Sequence, residues 1–176
     1  MELIILVGLQ ASGKSTFYRT HFADTHEHVS KDLLSRNKNQ NKNQKQVERI
    51  ERAFQEQRSV VVDNTNVTVQ DRLPLIDVGR RYNATIIGYY FQPDVSSSST
   101  RNMQRAGKAQ VPEKAIFITA HKFEPPSYAE GFDTLYYVRI GKDSTSENPV
   151  WEIVKIPFGK IEDYYGRVRG RVRLPA

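Results

Sequence analysis

Gly8-Leu9-Gln10-Ala11-Ser12-Gly13-Lys14-Ser15, entered from the apolar run Leu3-Ile4-Ile5-Leu6-Val7, decides how the rest of the chain is read. The two glycines, Gly8 and Gly13, let the backbone wrap an anion with its N–H groups pointing inward, and Ser15-Thr16-Phe17-Tyr18-Arg19 reads as the first turns of a helix. Buried strand, glycine-bounded loop and helix N-terminus, in that order, make a cradle for a polyphosphate. Lys14 brings a point charge toward the β and γ phosphates of a nucleoside triphosphate, and Ser15 a hydroxyl ligand for Mg²⁺. ATP or another nucleoside triphosphate, with Mg²⁺, is the expected ligand pair.

Outward from the cradle, runs of β-branched residues alternate with helical spacing. His28-Val29-Ser30 reads as a second strand ending at Lys31-Asp32; residues 35–46 hold only Ser, Arg, Asn, Lys and Gln and read as a mobile surface loop or the frayed start of a helix. Val47, Ile50 and Phe54 then recur at helical spacing to Gln57, and Ser59-Val60-Val61-Val62-Asp63 is the uninterrupted apolar run of a strand covered on both faces. A helix over Gln70–Tyr82 with Pro74 early in it, a strand over Ala84–Phe91, a weakly helical polar segment over Ser96–Ala106 and a helix opened by Val111-Pro112-Glu113 to about Lys122 follow. The alternation predicts an α/β protein: a parallel sheet flanked by helices on both faces, with ligand sites beyond the strands' C-terminal ends. Residues 133–140 and 150–157 are strand-like around the polar stretch Gly141–Pro149, which predicts a C-terminal β-hairpin extending the sheet.

The chain has 176 residues, enough for one ordinary core, and no cysteine, which excludes disulfides and thiolate metal sites. Its first apolar stretch is too short for a signal peptide or a membrane span, so a soluble cytoplasmic protein is expected. A net charge of +6 favours an anionic partner. The tail Arg167-Val168-Arg169-Gly170-Arg171-Val172-Arg173 alternates basic and apolar residues and reads either as a grip on nucleic-acid backbone or as a solvated terminus.

Three strand ends meet at the phosphates: Gly8 after the first, Asp32 after the second, Asp63 after the third. Transfer of a phosphoryl group to an alcohol needs a base for the departing proton, and Asp32 is the candidate. Asp63 reads as the acidic group that holds Mg²⁺ or positions the acceptor, against the bland alternative of a polar turn over Asp63-Asn64-Thr65-Asn66. Asp32 likewise has a plainer reading as a helix cap. Arg101, Arg105 and Lys108 read as a basic lid over the migrating phosphoryl group, or as a solvated face. Tyr136, Tyr137, Tyr164 and Tyr165 are aromatic in strand-like or tail segments, where packing is the commoner use than base stacking; His26 and His28 lack a third ligand in sequence.

Four segments in order, Gly8 to Thr16, Val29-Ser30-Lys31-Asp32, Val62-Asp63-Asn64-Thr65-Asn66, and Phe123-Glu124-Pro125-Pro126 followed by Ala129-Glu130-Gly131-Phe132, resemble the kinase domain of the polynucleotide 5′-kinases, of the phage type and of the animal polynucleotide kinase-phosphatases. The similarity spans residues 1–140, a P-loop kinase domain; residues 141–176, the hairpin and arginine-rich tail, lie beyond it. The resemblance implies an enzyme that moves the γ-phosphate of ATP to the 5′-OH end of DNA or RNA. It implies Asp32 as general base, with Lys14 and the lid residue Arg105 as its catalytic partners on the phosphates. Gly8, Ala11, Ser12, Gly13, Lys14, Ser15 and Thr16 would surround the triphosphate, joined by Arg101 and Arg105, and Ser15 and Asp63 would hold the metal. The implied acceptor contacts are Asp63, Asn66, Arg72 and Arg36, the last beside Ser35, where phage relatives place an arginine three residues after the base. A phosphatase or ligase partner acting on the same ends is part of that expectation. A P-loop kinase of a nucleoside, sugar or nucleotide-sugar, and a non-catalytic ATP-binding repair subunit, are the alternatives, because fold does not choose the acceptor.

Overall fold

Leu3 to Val7 and Val60 to Val62 lack polar side chains because the strands they form are covered on both faces, every one of these residues being at most 1% exposed. The computed structural model describes residues 1–34, 41–141, 149–160 and 164. Its strands are β1 (Glu2–Val7), β2 (His26–Val29), β3 (Ser59–Asp63), β4 (Thr85–Phe91), β5 (Thr134–Ile140) and β6 (Trp151–Lys155). Its helices are α1 (Lys14–His21), α2 (Lys42–Gln55), α3 (Val69–Arg81), α4 (Val95–Met103) and α5 (Glu113–His121). The sheet order is β2-β3-β1-β4-β5-β6, parallel throughout except β6, which runs antiparallel to β5.

β1 is central: Leu6 lies opposite Asp63 of β3, and Val7 opposite Tyr90 of β4. The chain places β2 and β3 on one side of β1 and then crosses to β4 on the other, so the crevice of the reversed winding opens where Gly8 leaves the sheet. Alternation along β1 divides the core. Leu3, Ile5 and Val7 pack with Ile50, Phe54, Leu75 and Ile76 from α2 and α3, while Ile4 and Leu6 pack with Phe17 and Tyr18 of α1. Helices thus cover both faces, as the alternating pattern predicts. Among the described residues no helix is long and apolar enough to cross a membrane.

Two boundaries differ from the sequence reading. β2 begins at His26, two residues early, and α2 begins at Lys42, five residues before the apolar spacing and within the stretch read as a surface loop or the frayed start of a helix, which settles the second part of that stretch as helix. The α2 N-terminus needs no apolar residue, because the Asn41 side chain accepts from the Asn43 N–H at 2.9 Å and caps the helix. Gln46 is 3% exposed; its Oε1 accepts from Asn64 Nδ2 at 2.6 Å, so a polar side chain fills a core-facing position. The hairpin is present: Ile140 lies opposite Trp151, and the sheet continues past residue 140. The segment 142–148 and the arginine tail lie outside the described residues.

Phe123 to Phe132 forms a strap that locks α3 to the end of β3. Glu124 N donates to the Val67 carbonyl at 2.8 Å, and Glu124 Oε2 accepts from Val69 N at 2.6 Å, adding a cap to α3 beyond the Thr68–Asp71 capping box. The strap turns at Gly131, whose φ of +116° is strained for any residue with a Cβ. This last of the four segments that carry the resemblance therefore braces the start of α3.

Candidate active site

Gly8 N donates to the Thr65 carbonyl at 2.9 Å, which ties the entry of the phosphate loop to the exit of β3. Gly13 then turns the loop into α1 at φ +97°, and a Cβ there would stand 2.7 Å from Cη2 of Trp151. Ser12 and Lys14 are buried in the cradle. The Lys14 ammonium donates to the Gly8 carbonyl (3.0 Å), the Leu9 carbonyl (2.5 Å) and Ser12 Oγ (3.3 Å). Burial pushes this ammonium down to about 8; the Asp63 carboxylate works against that, Arg105 adds to it, and Asp32 opposes it. Four charged side chains from four separate segments therefore act on one site, as the converging strand ends imply.

Asp63 is 6% exposed at the end of β3. His28 Nε2 donates to its Oδ2 at 3.0 Å, and the Ser15 hydroxyl donates to the same carboxylate. Burial pushes the Asp63 carboxyl up, but the hydrogen bonds from His28 and Ser15 and the charge of Lys14 outweigh it and hold the group below its ordinary value. His28 is itself held flat against Tyr18 of α1, ring centroids 4.1 Å apart and 12° from parallel. Ser15 and Asp63 present two hard oxygen donors side by side at the cradle, a donor set that fits Mg²⁺.

Asp32 stands on a single 3₁₀ turn, Lys31–Leu33, and is exposed. The cap of that turn is Ser30, whose Oγ accepts from the Asp32 N–H at 3.3 Å, so the Asp32 carboxylate is not consumed by capping. Asn64 fixes the turn: its Oδ1 accepts from Lys31 N at 2.9 Å while its Nδ2 binds Gln46 of α2. Lys42 Nζ donates to the Lys31 carbonyl at 2.9 Å. The turn is thus held from β3 and from α2 at once.

Arg101 and Arg105, expected as a basic lid, sit near the end of α4 and just beyond it. Arg101 Nε donates to the Ala11 carbonyl at 2.7 Å, bringing a half-buried guanidinium onto the phosphate loop. Arg105 is less constrained: among the described residues its side chain makes one bond, of 3.3 Å from Nη1 to the Ala109 carbonyl. Asn102 staples the α4–α5 connection, its Oδ1 accepting from Val111 N at 3.0 Å and its Nδ2 donating to the Val111 carbonyl at 2.7 Å. Gln10 Nε2 reaches Thr119 Oγ1 of α5 at 2.9 Å, so the lid and the cradle are joined.

Two expected acceptor contacts belong elsewhere. The Asn66 amide is 3% exposed and donates to the Leu6 carbonyl at 2.8 Å. Arg72 is 0% exposed, paired through Nε and Nη2 with Glu130 at 2.7 and 2.9 Å and through Nη1 with the Asn66 carbonyl at 2.9 Å. Three of its five N–H donors are held by the fold and the side chain is shut off from solvent, which suits a brace and not a contact to a substrate phosphate. Arg36, Tyr165 and the arginines at 167, 169, 171 and 173 lie outside the described residues. Tyr137 is in the core with Tyr164 against it, and Tyr136 stacks on Tyr89 at 5.0 Å, which is packing.

His28, Tyr18, Asn64, Asn102 and Trp151 are contributors that sequence reasoning missed. The strand period offered one signal: His28 shares a face with Ser30 at the end of β2 that leads to Asp32. The others depend on contacts across the fold and carry no local mark.

Residues 3–126 match the AAA domain family. The bifunctional polynucleotide phosphatase/kinase of Schizosaccharomyces pombe is 29% identical over 167 residues, 93% of this chain, and the chain spans about a third (35%) of that relative's length. Among solved structures, a fungal RNA kinase superposes with a TM-score of 0.65 at 17% identity, over 82% of this chain and 78% of that one. Kti12 from Chaetomium thermophilum, bound to ADP-AlF3, gives 0.58 at 15% identity over 83% and 92%. These two likenesses establish a shared fold.

Proposed function

Because the chain belongs to the AAA domain family, its cradle is that of a nucleotide-binding fold, and we propose that it is an ATP-dependent kinase that phosphorylates the 5′-OH end of DNA or RNA. The observation that carries this reading is the exposed Asp32 carboxylate, held on a braced turn on the acceptor side of the phosphate loop and close enough to bias Lys14. The kinase relative in Schizosaccharomyces pombe supports the choice of a polynucleotide.

The geometry supports the following roles. Backbone N–H groups of the loop from Gly8 to Thr16 hold the triphosphate at the start of α1, and Lys14 balances charge on the β and γ phosphates. A phosphate beside Lys14 replaces the carbonyls it now binds and restores its preference for the charged form. Asp32 orients the 5′-hydroxyl and takes its proton as the oxygen bonds to the γ phosphorus; the bond to the bridging oxygen breaks and ADP leaves. Arg105 and Arg101, from the lid, meet the charge spread over the migrating group. Ser15 and Asp63 would hold Mg²⁺, which would supply positive charge against the charge that develops on the phosphates. His28 keeps the Asp63 carboxylate turned toward Ser15.

A panel of 5′-OH acceptors, from nucleoside and mononucleotide to single strands and duplexes in both sugars, with γ-labelled ATP, tests the assignment. Label on oligonucleotides in preference to nucleosides and sugars supports it, and label only on a small molecule removes it. Binding of a polymer through several phosphates also weakens steeply with salt, whereas binding of a neutral sugar does not. A companion phosphatase or ligase acting on the same ends is part of the proposal, and the bifunctional phosphatase/kinase relative, of which this chain spans about a third, supports the phosphatase.

A further inference from the structure

The donor nucleoside needs a site of its own, and the sheet order says on which side it lies. With Asp32 and Asp63 at the ends of β2 and β3, the γ-phosphate faces that flank of β1. A nucleoside joined to that phosphate chain would then leave the cradle on the opposite flank, over the C-terminal ends of β4 and β5 and the start of β6. Ile140 closes β5 there, and antiparallel pairing brings Trp151, the first residue of β6, opposite it. The benzo edge of the Trp151 indole lies against the loop: an ideal Cβ on Gly13 would be 2.7 Å from Cη2, 3.3 Å from Cζ3, and 3.5 Å from Cδ1 of Ile140.

Packing alone accounts poorly for an indole at this position. Trp151 is partly exposed and meets Phe17 and Phe91 edge-on, ring centroids 5.2 and 6.0 Å away, contacts that a phenyl ring would also make. Its Nε1 is shut off from solvent and has no acceptor among the described residues, a cost that phenylalanine would avoid. What the larger ring adds is a flat apolar surface reaching the second glycine of the phosphate loop.

We propose that Trp151, with Ile140, forms the nucleobase-side wall of the donor site, so that a purine nucleoside triphosphate is held by its phosphates in the loop and by its base against the indole. This rests on the reading of the loop as a triphosphate site and goes beyond it by assigning a subsite to Trp151, a residue beyond the four segments that carry the family resemblance.

The chain has one tryptophan, so its emission reports this residue alone. Calorimetric titration of the wild type, Trp151→Leu and Trp151→Phe with Mg-ATP and with Mg-tripolyphosphate, which has phosphates but no base, separates the outcomes. ATP affinity should fall roughly three- to tenfold in Trp151→Leu, the range expected for loss of one ring contact. Tripolyphosphate affinity should stay unchanged, Trp151→Phe should recover only a small part of the loss because a phenyl ring keeps the contacts with Phe17 and Phe91 but lacks the benzo edge that reaches Gly13, and wild-type emission should respond to ATP more than to tripolyphosphate. Equal weakening of both ligands would overturn the proposal and leave Trp151 as mere support for α1. Unchanged ATP affinity would overturn it as well. Should Trp151→Leu not fold, Trp151→Phe and the wild-type emission still decide, since identical responses to both ligands refute the wall. Failure of the wild type to bind either ligand would instead remove the triphosphate reading itself.

Discussion

Replacing Lys14 by methionine should make the unliganded protein more stable while abolishing triphosphate binding. The side chain is 7% exposed and its ammonium is pushed from 10.5 down to about 8, mainly by burial. Holding the charged form at neutral pH therefore costs roughly 3 kcal/mol relative to the unfolded chain. Methionine keeps the length and apolar stem without the charge, but leaves the Gly8 and Leu9 carbonyls without this donor, which returns about 1 kcal/mol or more. A net gain of about 1–2 kcal/mol is the expectation at pH 7. The sign of the pH dependence follows from linkage. Between about pH 8 and 10.5 the unfolded chain keeps the Lys14 proton that the folded chain has lost, so wild-type stability gains from this group as pH rises through that window. The variant lacks that gain of roughly 3 kcal/mol, so the difference between the two proteins should shrink above pH 8, vanish within the window and favour the wild type by pH 10.5. Urea unfolding of both proteins at several pH values measures it. A variant less stable than wild type at pH 7, or a gap that does not change with pH, would refute the account of the cradle as a site that sacrifices stability to keep a buried cation.

Glu130→Ala leaves Arg72 charged, buried and unpaired, and should cost about 3–5 kcal/mol by urea unfolding. Arg72→Met with Glu130→Leu should recover much of that stability and keep the Michaelis constant for polynucleotide near wild type; a large rise would restore Arg72 as a substrate contact. Asn102→Ala strips both partners from Val111 and should cost about 1–2 kcal/mol, with a raised Michaelis constant for ATP as the lid loosens. Unaltered ATP kinetics would mean that the staple does not govern the lid.

The architecture was legible where one physical cause dominated. Leu3 to Val7 and Val60 to Val62 are apolar without interruption because both faces are covered, and the glycine spacing after Val7 has few uses other than an anion cradle. The start of α2 was not legible, because Asn41 caps it and Gln46 fills its core position through an amide pair with Asn64, so no apolar periodicity marks it. Asn66 and Arg72 illustrate a different limit. Polar residues close to a motif in sequence look alike whether they face substrate or brace the loop, and only Glu130, 58 positions from Arg72, decides. Asp32 was separable from a helix cap only once Ser30 was seen to fill that role. Trp151 reaches Gly13 through the β5–β6 register, which no local pattern encodes.

The most direct measurement is transfer of the labelled γ-phosphate of ATP to a 5′-OH oligonucleotide by the wild type and by Asp32→Asn, with ATP affinity measured on both. The account expects labelled product from the wild type, a loss of about 10²–10⁴ in rate for the variant, and equal ATP affinity. Full transfer by Asp32→Asn, or no labelled DNA or RNA from the wild type, would contradict it.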